Sequence, residues 1–266
     1  MHYEKKTRST GKQINFKFKG DLMNIGYLTD PGRRRTKNED ALRVLKEKKF
    51  FMLADGVGGN KSGEVASQAA LDALQDYVQN NPLDKVSGRD AMFSYFEDAV
   101  NYVNEYIREM SQEKPEYNGM ATTLVFAYVD GKILYIANVG DSRVYFIHNN
   151  VIHQITEDHT YVNDLLKMGA ITKSEAAHHE KKNVITRAIG ANAYNSPDCF
   201  NIFIEPDDKI LICSDGLYDE VPEKDIMEVI QSGEDMQNCA RKLVDMANEK
   251  GGSDNISVIC IDMMED

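Results

Sequence analysis

No apolar run in the sequence approaches the roughly 18 to 20 residues that span a bilayer, and the amino end, MHYEKKTRSTGKQ, lacks the apolar core of a secretory signal. A membrane span is therefore not expected, and the reading is of a cytoplasmic protein. HExxH is missing although there are six histidines, and the four cysteines, Cys199, Cys213, Cys239 and Cys260, are too scattered for a CxxC zinc or redox pair. Any metal bound here must sit on oxygen. Cys213 and Cys260 lie inside the apolar runs ILIC and ISVICI, as buried free thiols do, which fits a reducing compartment. Basic excess is missing too. The formal net charge is -12, so the phosphates of nucleic acid or an anionic membrane would be repelled, whereas cation binding is favoured.

What is present is enough for a sizeable core: 266 residues, 42% of them hydrophobic, fit one large domain. Residues 1–20 are basic, polar and without period, a loose tail before a domain spanning 21–266. ALRVL and FFMLA read as short strands around the turn KEKK, the second running into DGVGGNKSGE. Helical spacing of apolar residues predicts amphipathic helices over 63–78 and 89–110. ATTLVFAYV, KILYIANV, SRVYFIH and VIHQI follow, with Asp130-Gly131 and Asn149-Asn150 as hairpin turns, and read as one antiparallel meander. A polar insert around 156–182 reads as a flap of short helices and loops, after which VITRAIG is expected to resume as a strand. Strands at CFNIFI and KILICS, helices over 223–231 and 235–250, and a last strand ISVICI complete the pattern. Long helices outside blocks of strands predict an α+β fold, a sandwich of two mainly antiparallel sheets flanked by helices in four αββα layers.

Acids matter most where strands end in glycine-rich or small-residue turns, because there the backbone also brings carbonyl oxygen to a hard cation. Such places are NED at Asn38 to Asp40, ADG at Ala54 to Gly56, SDG at Ser214 to Gly216 and SDN at Ser253 to Asn255. Any one alone is a turn signal. Converging, Asp55, Asp215 and Asp254 would make an oxygen-only site, which selects Mg²⁺ or Mn²⁺ over zinc and, with two ions about 3.5–4 Å apart, activates a water for hydrolysis. Glu39 and Asp40 are adjacent on an extended strand and point to opposite faces, so one of them should act through ordered water.

Taken in order, GRRRTKNED, ADGVGG, NGMATTL, NVGDSR, SDGLYD and GGSDNISV resemble the metal-dependent protein phosphatases of the type 2C (PPM) family, over essentially the whole domain and in the compact form of the bacterial branch. The resemblance implies a protein serine/threonine phosphatase holding two Mn²⁺ or Mg²⁺ ions, acting on phosphorylated proteins and opposing a eukaryotic-like Ser/Thr kinase, with no nucleic-acid partner and as a monomer. It implies that Asp55 bridges both ions, that the Gly56 carbonyl joins one, that Asp215 and Asp254 hold the other, and that Glu39 and Asp40 belong to the same acidic cluster. Arg35 matches the phosphate-binding arginine, with Arg33 and Arg34 as solvated neighbours. Asp141 and Asp219 match a third, weaker metal site shared with Asp215.

Thr122 and Thr123 are expected as packing residues and Asn255 as the group that orients Asp254. One departure concerns the leaving-group acid: where other members carry a histidine this chain has Val57, and Asn60 nearby has no titratable group either. Two rival readings are a pseudophosphatase that binds phosphoproteins without turnover, and a metal-dependent phosphatase of small phosphorylated molecules.

Overall fold

The computed structural model describes residues 22–57, 62–191 and 196–264, so the expected tail and Asn60 lie outside the described residues. In chain order the elements are β1 (Leu22–Asp30), β2 (Asp40–Leu45), β3 (Phe50–Val57), α1 (Gly63–Asn80), α2 (Arg89–Glu113), β4 (Ala121–Thr122), β5 (Leu124–Asp130), β6 (Ile133–Val139), β7 (Arg143–His148) and β8 (Val151–Gln154). They continue with α3 (Tyr161–Lys167), α4 (Lys173–Ala177), β9 (Asp198–Phe203), β10 (Lys209–Cys213), α5 (Asp215–Tyr218), α6 (Glu223–Ile230), α7 (Met236–Lys250) and β11 (Ile256–Met264). One sheet runs β1-β11-β10-β7-β8, the other β2-β3-β5-β6-β9 with β4 added beside β3, and every strand pair is antiparallel.

Both faces of the central strands are buried, which is why they read as unbroken apolar runs. On β3, Phe50, Met52 and Ala54 pack under α1 and α2, while Phe51 and Leu53 point between the sheets toward Val144, Ile212 and Ile259. On β11, Ile256, Val258 and Cys260 face α7, and Ile259, Ile261 and Met263 face the other sheet. Each fully buried side chain of this size contributes about 1.5–3 kcal/mol. The four αββα layers follow directly from that division, and Cys213 and Cys260 are buried free thiols in the layer against α7.

Three expectations need correction. The four strands expected as one meander are two hairpins in different sheets: β5 pairs β6 in one, β7 pairs β8 in the other. Between them the chain crosses the sandwich at Gly140, whose φ of +115° suits glycine alone and whose Cβ, if present, would lie 2.6 Å from the Thr123 side chain. The β7–β8 turn is Asn149-Asn150 with both φ values positive, whereas the β5–β6 turn is Gly131-Lys132, one residue later than expected. VITRAIG forms no strand. It makes two isolated bridges, Ile185 to Thr160 and Ile189 to Thr122, which tie the segment back to α3 and β4, and Arg187 turns aside to Asp198.

Candidate functional site

Five strand ends meet at one end of the sandwich and carry an acid each: the start of β2 (Asp40), the end of β3 (Asp55), the β6–β7 crossing (Asp141), the start of α5 after β10 (Asp215) and the approach to β11 (Asp254). Asp40 and Asp55 are directly opposite in the β2–β3 register. Ser214 joins the two sheets there, donating from Oγ to Asp40 Oδ2 at 2.8 Å while accepting from the Ser257 N–H at 3.0 Å.

The backbone around Asp55 is clamped by β4 and β5. Its N–H donates to Thr123 Oγ1 at 2.9 Å, and its carbonyl accepts from Thr122 Oγ1 and from the Thr123 N–H, both at 2.8 Å. The two threonines, expected as packing residues, therefore position the central acid. Three glycines bring backbone closer than a side chain allows: a Cβ on Gly56 would lie 2.3 Å from the Gly63 carbonyl, on Gly216 2.0 Å from the Asn255 carbonyl, and on Gly63 2.9 Å from Glu39 Oε2 and 3.0 Å from the Gly56 carbonyl. Glu39 and the Gly56 carbonyl thus share the space over Gly63, whereas Asp40 turns the other way, between the sheets.

Asn255 does more than was expected of it. Its side chain accepts from the Glu39 N–H at 2.7 Å and donates to the carbonyls of Pro31 and Lys37 at 3.0 and 2.9 Å, fixing the loop that carries Arg35 and the NED segment. Only its backbone N–H reaches Asp254 Oδ1, at 2.8 Å. Arg35 pairs with Asp254 at 2.7 Å on the open rim. Asp219, at the end of α5, pairs with Lys182 of the insert at 2.8 Å, and Tyr218 donates its hydroxyl to the Asp141 carbonyl at 3.0 Å.

Arg35 and Lys182 pair with Asp254 and Asp219 at the edge, while like charges are confined together at the centre. Burial pushes the Asp40 carboxyl up to about 6, helped by Asp254 and opposed by hydrogen bonds from Ser257 and Ser214. Burial and then Asp158 push Asp141 to about 7. Asp55 is held well above the carboxylate range by burial and by Asp40, Asp215, Asp141 and Asp254, and Asp215 by burial and by Asp141, Asp254, Asp40 and Asp219. Asp55 and Asp215 keep a partly open face although they lie deep among surrounding atoms.

Sealed from solvent, the Oδ1 atoms of Asp40, Asp141 and Asp215 accept no hydrogen bond. Among the described residues no three acids, histidines or cysteines close on a common point. The carboxylates instead stand within Coulombic range of one another, with free lone pairs and glycine-lined approaches, a donor set that fits hard divalent cations.

Residues 33–256 match the family described as protein phosphatase 2C. The chain is 36% identical over 243 residues to the serine/threonine phosphatase stp of Listeria monocytogenes, covering 90% of this chain and 96% of that one. It is similar in structure to the Mycobacterium tuberculosis serine/threonine phosphatase PstP/Ppp, with a TM-score of 0.82, 32% identity, and 91% and 99% of the two chains covered. A structure of the PstP catalytic domain in complex with two manganese ions superimposes with a TM-score of 0.80 at 31% identity, covering 91% of this chain and 99% of that one. The chain belongs to the protein phosphatase 2C family.

Proposed function

We infer that this chain removes phosphate from phosphoserine and phosphothreonine in proteins and does so with two divalent ions, Mn²⁺ or Mg²⁺, held by the strand-end acids. The observation that carries the metal reading is the set of sealed, unpartnered Oδ1 atoms on Asp40, Asp141 and Asp215 beside Asp55, which burial and the neighbouring acids hold well above the carboxylate range. Buried carboxylates in that state are costly unless a cation joins them. The two manganese ions in the PstP complex support the same reading.

In this assignment Asp55 would serve both ions, the Gly56 carbonyl would add oxygen to one, and Asp215 and Asp254 would hold the other, with Glu39 and Asp40 supplying oxygen directly or through water. Asp141 and Asp219 would hold a weaker third ion together with Asp215. When bound, the ions supply an activated water and cancel charge on the phosphate. The protein's own part is to orient. Thr122 and Thr123 lock the Asp55 backbone, Ser214 aims Asp40, and Arg35 offers its planar guanidinium to phosphate oxygens at the rim.

Val57 has no proton to give, and His159, with one ring nitrogen accepting from the Gly140 N–H at 3.0 Å and the other 3.0 Å from Asp198, is buried away from the rim. Neither serves as the acid for the leaving oxygen.

We further assign 21–266 as one phosphatase domain, a monomer in the cytoplasm that opposes a Ser/Thr kinase. No helix among the described residues is long and apolar enough to cross a membrane. The test is release of phosphate from a defined phosphothreonine peptide with and without Mn²⁺, beside a nucleotide monophosphate. Mn²⁺-dependent turnover of the peptide, abolished by chelator, is expected. Tight binding of the peptide without turnover at saturating Mn²⁺ would make the chain a phosphoprotein-binding module, preference for the nucleotide would make it a small-molecule phosphatase, and full turnover by metal-free protein would remove the ions from the chemistry.

A further inference from the structure

Three arginines in succession, Arg33, Arg34 and Arg35, stand on the loop that leads into β2, in a chain whose net charge is -12. Arg35 is paired with Asp254. Arg33 and Arg34 are exposed, and among the described residues no hydrogen bond or ion pair reaches either guanidinium. Their backbone, by contrast, is held at every step. The Gly32 N–H donates to Asp30 Oδ1 at 2.8 Å, both the Arg33 and Arg34 N–H groups donate to the single carbonyl of Gly252 at 2.8 and 3.1 Å, and Asn255 binds the carbonyls on either side, Pro31 and Lys37.

Two acids beside this loop have hydrogen-bond partners other than the arginines. Asp30 accepts from Gly32 and from Asn248 Nδ2, and Glu220 accepts from the N–H and hydroxyl of Ser253. Gly252, at φ +52°, is the contact point: a Cβ there would lie 2.8 Å from both the Arg33 nitrogen and its Cγ, so the approach of the two loops excludes any side chain. The result is a pair of free guanidinium groups on a fixed backbone, one and two residues before the arginine assigned to the phosphate.

We propose that Arg33 and Arg34 form a recognition rim for a second anion on the substrate polypeptide, a carboxylate or a second phosphate within about three residues of the phosphoserine or phosphothreonine being hydrolysed. This rests on the phosphatase reading of the neighbouring acids. The reach follows from chain geometry: two residues of the loop span at most about 7 Å and a substrate strand advances about 3.3 Å per residue, so a phosphate at Arg35 places its near neighbours over the rim. Guanidinium pairs bidentately with both carboxylate and phosphate oxygens, so both sources share one chemistry. The global field argues the other way. A protein of net charge -12 should favour basic substrates, which makes a preference for acidic flanks a signature of the local rim and not of the whole surface.

The experiment uses the full chain loaded with Mn²⁺ and three phosphothreonine peptides of one length: glutamate at the flanking positions, glutamine there, or a second phosphoserine there. The ratio of kcat/KM values within each enzyme cancels any change in the fraction of active protein. Two exposed charge pairs give an expected preference of about fivefold for the glutamate over the glutamine peptide, and more for the second phosphate. It should shrink as salt is raised, vanish in the double variant Arg33→Gln/Arg34→Gln and reverse in Arg33→Glu/Arg34→Glu. Preference for the second phosphate alone would identify phosphate as the anion read. Turnover of all three peptides without preference, or a preference that survives in the double glutamine variant, overturns the rim. No turnover of any peptide overturns the phosphatase reading and the rim with it.

Discussion

Two groups of acids flank the crossing at Gly140, and they are kept in opposite ways. On one side Asp158 is held by Arg143 through Nε at 3.0 Å and Nη2 at 2.6 Å, with Arg143 stacked 3.5 Å over the Tyr218 ring, and Asp198 is shared by Arg187 at 2.8 Å and His159 at 3.0 Å. On the other side Asp40, Asp55, Asp141 and Asp215 crowd one another with three sealed oxygens unpartnered. The pKa directions carry the same contrast: burial would raise Asp198, yet His159 and Arg187 outweigh it and hold the carboxyl low, whereas burial and neighbouring acids raise Asp55 and Asp215 together. A fold that needed Asp40, Asp55, Asp141 and Asp215 for stability would have given them close arginine partners, as it gave Asp158 and Asp198. That it did not is the physical argument for the proposal that these acids hold cations.

The largest effect expected from this contrast is at Asp55. Asp55→Asn removes a crowded charge and the ligand proposed to serve both ions, so phosphopeptide turnover should fall at least about a thousandfold while the metal-free protein melts higher than wild type. Steady-state kinetics with Mn²⁺ and thermal melts in chelator measure the two halves, and a lower metal-free melting temperature would show that the acids are already satisfied by the protein. The opposite cluster should respond oppositely. Asp158, 15% exposed beside Arg143, keeps only the Gln154 amide as a side-chain donor in Arg143→Ala, at a cost of about 3 kcal/mol in unfolding free energy by denaturant titration.

A change of pH tests both clusters together. Asp40 and Asp141, with ordinary values of 3.8, are raised to about 6 and about 7, so the folded, metal-free protein binds their protons more tightly than the unfolded chain. Stability from these groups is fully present below about pH 4 and is lost as pH rises through about 6 to 7. His159 works the other way: burial lowers its value, so it costs stability as pH falls through its unfolded value near 6.5. Several acids outweigh one histidine, and the metal-free protein should gain at least about 5 °C in melting temperature between pH 7.5 and pH 5.5. With saturating Mn²⁺ the trend should reverse, because the ligands must be deprotonated to bind. A metal-free melting temperature that falls steadily on acidification would mean the acids are not crowded.

How much of this was legible from the chain depended on range. Apolar runs such as FFMLA and ISVICI announce strands buried on both faces, and an acid directly after or before such a run marks a strand end, so Asp55, Asp215 and Asp254 could be picked out locally. The crossing at Gly140 could not, because KILYIANV and SRVYFIH look alike whichever sheet they join and only the positive φ of one glycine sends the second strand away. The groups that aim the acids were missed for the same reason. Ser214 reaches Asp40 across 174 residues and Asn255 reaches Glu39 across 216, contacts that a serine and an asparagine in a turn motif do not advertise. VITRAIG misled because its apolar residues serve two single bridges and a buried anchor, Ile189, and not a ladder.

The smallest expected effect lies where the two clusters touch. Lys182 comes from the insert, whose base is the well-paired side, and its ammonium lies 2.8 Å from Asp219, an acid assigned to the weak third ion. With side chains 44% and 31% exposed the pair is screened, and Lys182→Ala should change unfolding free energy by less than about 1 kcal/mol. The consequence for metal is larger than for stability, because an internal cation competes with an external one for the same carboxylate. Freed of Lys182, Asp219 should take part in a weak Mn²⁺ binding event that tightens by about two- to fivefold in calorimetric titration, while the tighter events centred on Asp55 stay unchanged. If the weak event weakens or disappears, Lys182 positions Asp219 instead of competing for it, and the two clusters form one continuous network.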